Sequence, residues 1–234
     1  MKGGWEMPDK NVLNQGIELY KIGKYSDALA FFLGLSVDSG ADSSDVAYYL
    51  GLCYAKLNRY EDALLYLEQV VTSGTHIERV QQCRFLLAVI YSLSGRKRLA
   101  SFELGKLLES GYKPASVYAS LAFIAWEQKD VEKCLEYYNK SLEIDNNNVT
   151  ALNGLGYVLA SEDKDLTKAL SCCKKAVETS PNSAACLDSL GWVYYKLGLY
   201  KDALKYLEMA EQLDKDNEEI ANHIKAVVIE GEKK

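Results

Sequence analysis

The chain has 234 residues, of which 48% are hydrophobic and 26% charged, and it carries a net charge of −6. Such a composition belongs to a globular chain and not a disordered one, and an acidic balance lacks the basic footprint that nucleic-acid binding draws its affinity from. No apolar run approaches the roughly 18–20 residues of a membrane span.

The charge is uneven: residues 1–117 carry 13 basic and 13 acidic side chains, residues 118–234 carry 14 and 20. Residues 1–8 are expected to form a flexible N-terminal segment, and the opening MKGGWEMPDK lacks the apolar core of a signal peptide. From residue 9 onward, helix-period apolar patterns come in pairs. The first pair reads NQGIELYKIGKYSDALAFFLGL, with Gly16, Gly23, Tyr25, Ala28 and Phe32 at telling places. The second reads YLGLCYAKLNRYEDALLYLEQVV, where Asn58 stands at the turn and tolerates the left-handed conformation. The third, LLAVIYSLSGRKRLASFELGKLL, has a lead-in, TSGTHIERVQQ, three residues longer than the period, which marks the second-to-third junction as a hinge candidate. Its Arg96-Lys97-Arg98 knot is expected to be a solvated turn.

The fourth pair, SLAFIAWEQKDVEKCLEYYNKSLEID, places Lys129 at the turn and Cys134 where other pairs have alanine. The fifth, LNGLGYVLASEDKDLTKALSCCKKAVETSPN, has one extra turn residue and ends at Pro181. The sixth, LDSLGWVYYKLGLYKDALKYLEMAEQLD, is the most regular, and NEEIANHIKAVVIEGEKK follows as one more amphipathic helix. That helix is expected to cap the array, because a last pair otherwise exposes an apolar face.

A small residue recurs in the first helix of each pair: Gly16, Gly51, Ala88, Ala122, Gly156 and Gly191, at spacings of 35, 37, 34, 34 and 35. Each must be small because the second helix of its own pair crosses there. Counted from Gly191, Tyr194 lies 3 residues on, Gly198 7, Tyr200 9, Ala203 12, Leu207 16 and Ala210 19. In this pattern the chain resembles the tetratricopeptide repeat family, whose period is about 34 residues. The phrases LGYVLA and LDSLGWVYYKLG are similar to those of bacterial members.

The resemblance implies an all-α, right-handed α-α superhelix of six helix-turn-helix repeats, about 9–43, 44–80, 81–114, 115–148, 149–183 and 184–216, closed by a capping helix and tail over 217–234. It also implies a non-enzymatic interaction scaffold or adaptor whose first helices line a concave groove for a peptide or partner helix. Groove-facing positions fall three before, one after and four after each anchor and, less squarely, two before and five after. They give Tyr20 in repeat one, Tyr48 and Tyr49 in repeat two, Phe85 in repeat three, and Phe123 and Trp126 in repeat four. Repeat five supplies Asn153 and Tyr157; repeat six supplies Asp188, Trp192, Tyr195 and Lys196.

This set is rich in aromatic residues, and such a stripe either packs between repeats or binds. Each repeat fills its core with other residues (Leu50, Tyr54, Tyr60 and Leu67 in repeat two), so the stripe is expected to anchor an apolar or amphipathic protein segment. Chaperone-binding members of the family hold a peptide carboxylate with Lys and Asn on their first helices. Leu13, Ile17, Tyr49, Gln82 and Leu86 stand at the matching places, and the clamp is absent.

No catalytic site, metal or cofactor is expected. His76 and His223 have no Cys, Ser or paired carboxylate in motif spacing, and both are expected to face solvent. The six cysteines show no C-x-x-C pair and read as reduced core residues, with Cys172 and Cys173 pointing different ways. Reduced thiols suit a cytoplasmic protein; a periplasmic place would follow if the chain were a fragment without its leader. Self-assembly into a homo-oligomer is the alternative to partner binding. A helical-repeat RNA-binding reading is the lesser alternative: it needs polar base-reading side chains on a basic face, whereas this groove offers aromatics, which can stack on bases, on an acidic chain.

Overall fold

The computed structural model describes residues 12–231. The expected flexible segment 1–8, residues 9–11 of the first repeat and residues 232–234 of the tail lie outside that range. Among the described residues there are thirteen α-helices and no strand, and they divide into two compact units, the first ending at Tyr112 and the second starting at Lys113.

The first unit holds α1 (Asn14–Lys21), α2 (Tyr25–Leu33), α3 (Ser43–Lys56), α4 (Tyr60–Ser73), α5 (Ile77–Leu93) and α6 (Lys97–Glu109). The second holds α7 (Ala115–Glu127), α8 (Val131–Ile144), α9 (Val149–Ser161), α10 (Leu166–Thr179), α11 (Ala184–Lys196), α12 (Tyr200–Leu213) and α13 (Glu218–Gly231). Within each unit every helix packs on its chain neighbours, and α9 also lies against both α7 and α11.

One turn makes all the pairs. A residue in the left-handed region ends the first helix: Gly23, Asn58, Gly95, Lys129, Asp163 and Gly198, with φ between 49° and 80°. The next residue's N–H donates to a carbonyl five residues back, as in Arg59 to Tyr54 at 2.9 Å, Asp130 to Ala125 at 2.9 Å and Leu199 to Tyr194 at 2.9 Å. This bond satisfies a carbonyl that the helix end would leave orphaned. Asn58 meets the expectation for its site, whereas Lys129, with φ at 62°, holds a conformation that disfavours a β-carbon.

The small anchors sit at the crossing of each pair. A β-carbon on Gly51 would lie 2.8 Å from the Leu67 side chain. On Gly156 it would lie 2.3 Å from Cys173 Sγ and 3.0 Å from the Ala169 carbonyl oxygen. On Gly191 it would lie 2.7 Å from Leu207. A second close approach was not visible in the sequence: the Tyr138 ring of α8 lies 2.2 Å from where a Gly154 β-carbon would be. Gly154 therefore lets a side chain of the preceding pair lie across α9.

The long lead-in to the third pair is not a long loop. Residues 74–76 alone separate α4 from α5, and α5 runs 17 residues against 14 in α4. The extra residues are spent on another helical turn. Arg79 in that turn pairs with Asp45 of α3, which ties the extension to the preceding pair.

All six cysteines are buried and free. Cys172 is 8% exposed and Cys173 fully buried, so both members of the adjacent pair lie in the core. Burial pushes the Cys53 thiol up to about 11 and the Cys83 and Cys134 thiols up to about 12.

Two measurements check this description. Lys129→Gly removes the left-handed strain and should raise stability by about 1 kcal/mol in a denaturant titration; a neutral or destabilising result would contradict the turn. A thiol whose folded value is raised contributes stability that is intact below its ordinary value of 9.0 and is lost as pH climbs toward about 11 to 12. The cysteines should thus stay silent to thiol reagents in the native state, and their contribution to stability should be constant through neutrality and fall above pH ~9. Rapid native labelling at pH 8 would overturn the burial.

Candidate partner-binding site

The predicted residues fall in both units, and each unit arranges its own. In the first, the Tyr49 ring stacks on Phe32 of α2 at 5.2 Å and 8°, and Tyr48 meets Tyr49 edge-on at 5.1 Å. The Tyr48 hydroxyl donates to Gln82 Oε1 on α5 at 2.5 Å, with the Arg79 guanidinium 5.2 Å above the ring. Tyr20 packs on Tyr25 at 5.3 Å, and burial with neighbouring phenols raises its hydroxyl to about 12. Phe85 is half-buried on α5. A shallow cleft lined by Ser26, Leu29, Ala30, Leu33, Leu57 and Arg59 lies elsewhere, and none of the predicted residues lines it.

The second unit gathers its set more tightly. Side-chain caps fix the helices concerned: Asn148 accepts from Ala151 N at the start of α9, and Ser183 from Cys186 N at the start of α11. Asn217 Oδ1 accepts from the N–H groups of Glu219 and Ile220 at the start of α13. These starts hold the register in which neighbouring helices meet.

Five rings then run in a row. Trp126 of α7 meets Tyr157 of α9 at 6.2 Å and 87°, and Tyr157 meets His223 of α13 at 6.2 Å. His223 stacks on Trp192 of α11 at 4.1 Å, and Trp192 on Tyr195 at 4.9 Å. All are half-buried except His223, which is 8% exposed. Phe123, one turn before Trp126, is 47% exposed and joins none of these stacks among the described residues.

Polar groups punctuate the row. Asp188 is buried on α11, and its Oδ1 lies 2.8 Å from His223 Nδ1. The Tyr157 hydroxyl donates to Glu219 Oε1 at 2.8 Å, and desolvation with that carboxylate pushes the phenol well above its ordinary range. Lys196 Nζ lies 5.7 Å above the Trp192 ring and donates to both carboxylate oxygens of Asp163, at 2.8 and 2.9 Å. Asn153 Oδ1 and Trp192 Nε1 are buried with no hydrogen-bond partner among the described residues.

His223 therefore does not face solvent. It lies 35 residues beyond Asp188, as Asp188 lies 35 beyond Asn153, so α13 continues the register of the first helices. That step was the available signal, and it also brings Glu219 to the face. Chemically, the row offers rings, carboxylates and one internal ammonium. Among the described residues no group of His, Cys, Asp or Glu could hold a metal ion, and no helix is long and apolar enough to cross a membrane.

Residues 13–75, 115–148 and 147–216 each match a tetratricopeptide repeat family model. A comparison with curated proteins gives no match. Among solved structures, the chain is similar to one from the APC/C hetero-tetramer Cut9–Hcn1, with a TM-score of 0.76 at 14% identity over 92% of this chain and 42% of that one. It thus spans less than half the length of that neighbour. It is also similar to a tetratricopeptide repeat protein from Parabacteroides merdae ATCC 43184, with a TM-score of 0.68 at 16% identity, covering 93% of this chain and 83% of that one. YrrB, described as a TPR protein with an unusual peptide-binding site, gives a TM-score of 0.54 at 17% identity over 91% of this chain and 99% of that one. At such identities the likeness speaks for the fold alone. Proteins of this repeat type are generally non-enzymatic scaffolds for protein–protein interaction. Three repeat-model matches, the recurring turn and anchors, and an all-helical repeat fold shared with solved relatives establish that the chain belongs to the tetratricopeptide repeat family.

Proposed function

We propose that the chain is a protein-binding adaptor whose first-helix face takes an apolar or amphipathic segment, with the ring row of the second unit as its principal contact. The observation that carries this reading is the row itself. Trp126, Tyr157, Trp192 and Tyr195 are each only half-buried, yet each is held by a neighbouring ring. Rings fixed by their neighbours lose little freedom on binding, and large rigid aromatic side chains dominate the energetics of protein interfaces. Phe123 adds an exposed apolar side chain on the same helix as Trp126.

Packing and binding roles separate by burial. Trp192 lies between His223 and Tyr195 and against the core of the unit, so Trp192→Ala should cost about 3 kcal/mol of folding stability. Phe123 bears little of the fold, so Phe123→Glu should leave the unfolding midpoint within about 0.5 kcal/mol of the parent.

The test is selection of binders from a displayed random-peptide library with the whole chain as bait, followed by affinity measurements on individual peptides. Selected peptides should carry apolar residues at helical or alternating spacing, and Phe123→Glu should weaken them at least about tenfold. Peptides that bind this variant as tightly as the parent would place binding away from the face.

A further inference from the structure

We infer that Trp126, Tyr157 and Glu219 form a seat for one cationic side chain, lysine or arginine, of the segment that this face binds. The inference rests on the binding role proposed above. The two rings stand perpendicular at 6.2 Å, so they form two walls of a corner. Glu219 stands at the phenol end of Tyr157: one carboxylate oxygen accepts the Tyr157 hydroxyl at 2.8 Å, and the residue is exposed. Among the described residues Glu219 pairs with no cation. A ring face with a carboxylate beside it attracts a cation twice over, through the ring quadrupole and through charge.

The same unit already contains the filled version of this arrangement. At Trp192 the ammonium of Lys196 lies 5.7 Å over the ring and 2.8 Å from Asp163, so ring, cation and carboxylate are complete within the chain. At Trp126 and Tyr157 the rings and the carboxylate recur, and the cation does not. The corner next to Phe123 would also suit the methylene stem of a lysine, which packs on apolar surface while its head stays wet.

A plainer explanation for Glu219 is its place in the first turn of α13, where an acid complements the helix dipole. Glu218 meets that demand one residue earlier. The bond to Tyr157 is particular to Glu219 and holds its carboxylate at the phenol. The charge of the chain agrees with a basic ligand: residues 118–234 hold 20 acidic side chains against 14 basic, which favours approach of a cationic segment.

The test extends the peptide selection. From the selected pool, a peptide bearing Lys or Arg is resynthesised with norleucine at that position, and both forms are titrated against the parent chain and Glu219→Gln. The amide can still accept the Tyr157 hydroxyl, so the corner keeps its shape, and an unchanged unfolding midpoint verifies this. The cationic peptide should lose about five- to tenfold on Glu219→Gln while the norleucine form loses nothing, and Tyr157→Leu, which also removes a ring of the binding row, should weaken the cationic form more than the norleucine form. Equal losses for the two forms would overturn the seat. A selected pool that lacks basic residues, bound by a chain indifferent to Glu219→Gln but sensitive to Phe123→Glu, would overturn the seat and leave the binding face standing. A library from which nothing is retained would remove the binding face, and the seat with it.

Discussion

A helix pair of this protein closes only where its first helix offers the second no more than a methyl group, and in four of the six pairs not even that. Gly156 shows the tolerance: Cys173 Sγ already lies 2.3 Å from the place of a β-carbon, and the Ala169 carbonyl lies at 3.0 Å. The backbone oxygen cannot move aside as a flexible side-chain end could, so the crossing distance is set by the missing atom. Elsewhere Phe32, Leu67 and Leu207 fill the place that Cys173 holds here, each against its own anchor glycine. The turn enforces the same geometry from the other end. A left-handed residue and its five-back hydrogen bond reverse the chain so abruptly that the second helix has one available path. Lys129 is kept in that conformation by the packing of α7 on α8, against the preference of its own backbone.

A fixed pair has a consequence at a distance. When successive pairs repeat at 34 or 35 residues, equivalent positions of their first helices become neighbours, and side chains at one register form a ladder. Asn153, Asp188 and His223 are such a ladder, on α9, α11 and α13. Two rungs satisfy each other, since Asp188 Oδ1 and His223 Nδ1 lie 2.8 Å apart in a nearly dry setting. Burying either alone would be costly, so the pair ties α13 to α11 by a demand that apolar packing does not make. Ile220 and Val227 supply the apolar share, one against Leu187 and Ala210, the other against Ala203 and Leu207.

The helices, their pairing and their crossing points were legible in the sequence because each rests on local chemistry. An anchor at Gly51 or Gly191, an Asn or Gly at the turn, and apolar residues at 3.6-residue spacing all act within one pair. What sequence reading missed lies between pairs. Gly154 looks like an unremarkable helical glycine until Tyr138 of the preceding pair is placed over it. His223 looks solvated because the last helix reads as a cap, and only the 35-residue step from Asp188 shows that it continues the face. The lead-in around His76 reads as a loop because it exceeds the period, yet its residues carry helix-compatible side chains and lengthen α5. Of the twelve residues expected on the face, the eight in the second unit include a cluster through Trp126, Tyr157, Asp188 and Trp192. The links that join them, His223 and Glu219, came from outside the repeats.

The ring row also explains why packing and recognition need not be rival roles for one side chain. Trp192 is held on one face by the imidazole of His223 and on its flank by Tyr195, while Lys196 sits above it. Such a ring serves the fold while staying half-buried. Trp126 meets one ring of the row, Tyr157, and packs against the core of its unit, while Phe123 meets none of the row among the described residues. Along the row from α11 to α7, side chains thus pass from supports to free contacts. The supported end fixes the position of Trp126 through Tyr157, so a partner meeting that ring would not have to order it first. Under the binding role proposed here, such pre-ordering, more than added contact area, would favour affinity.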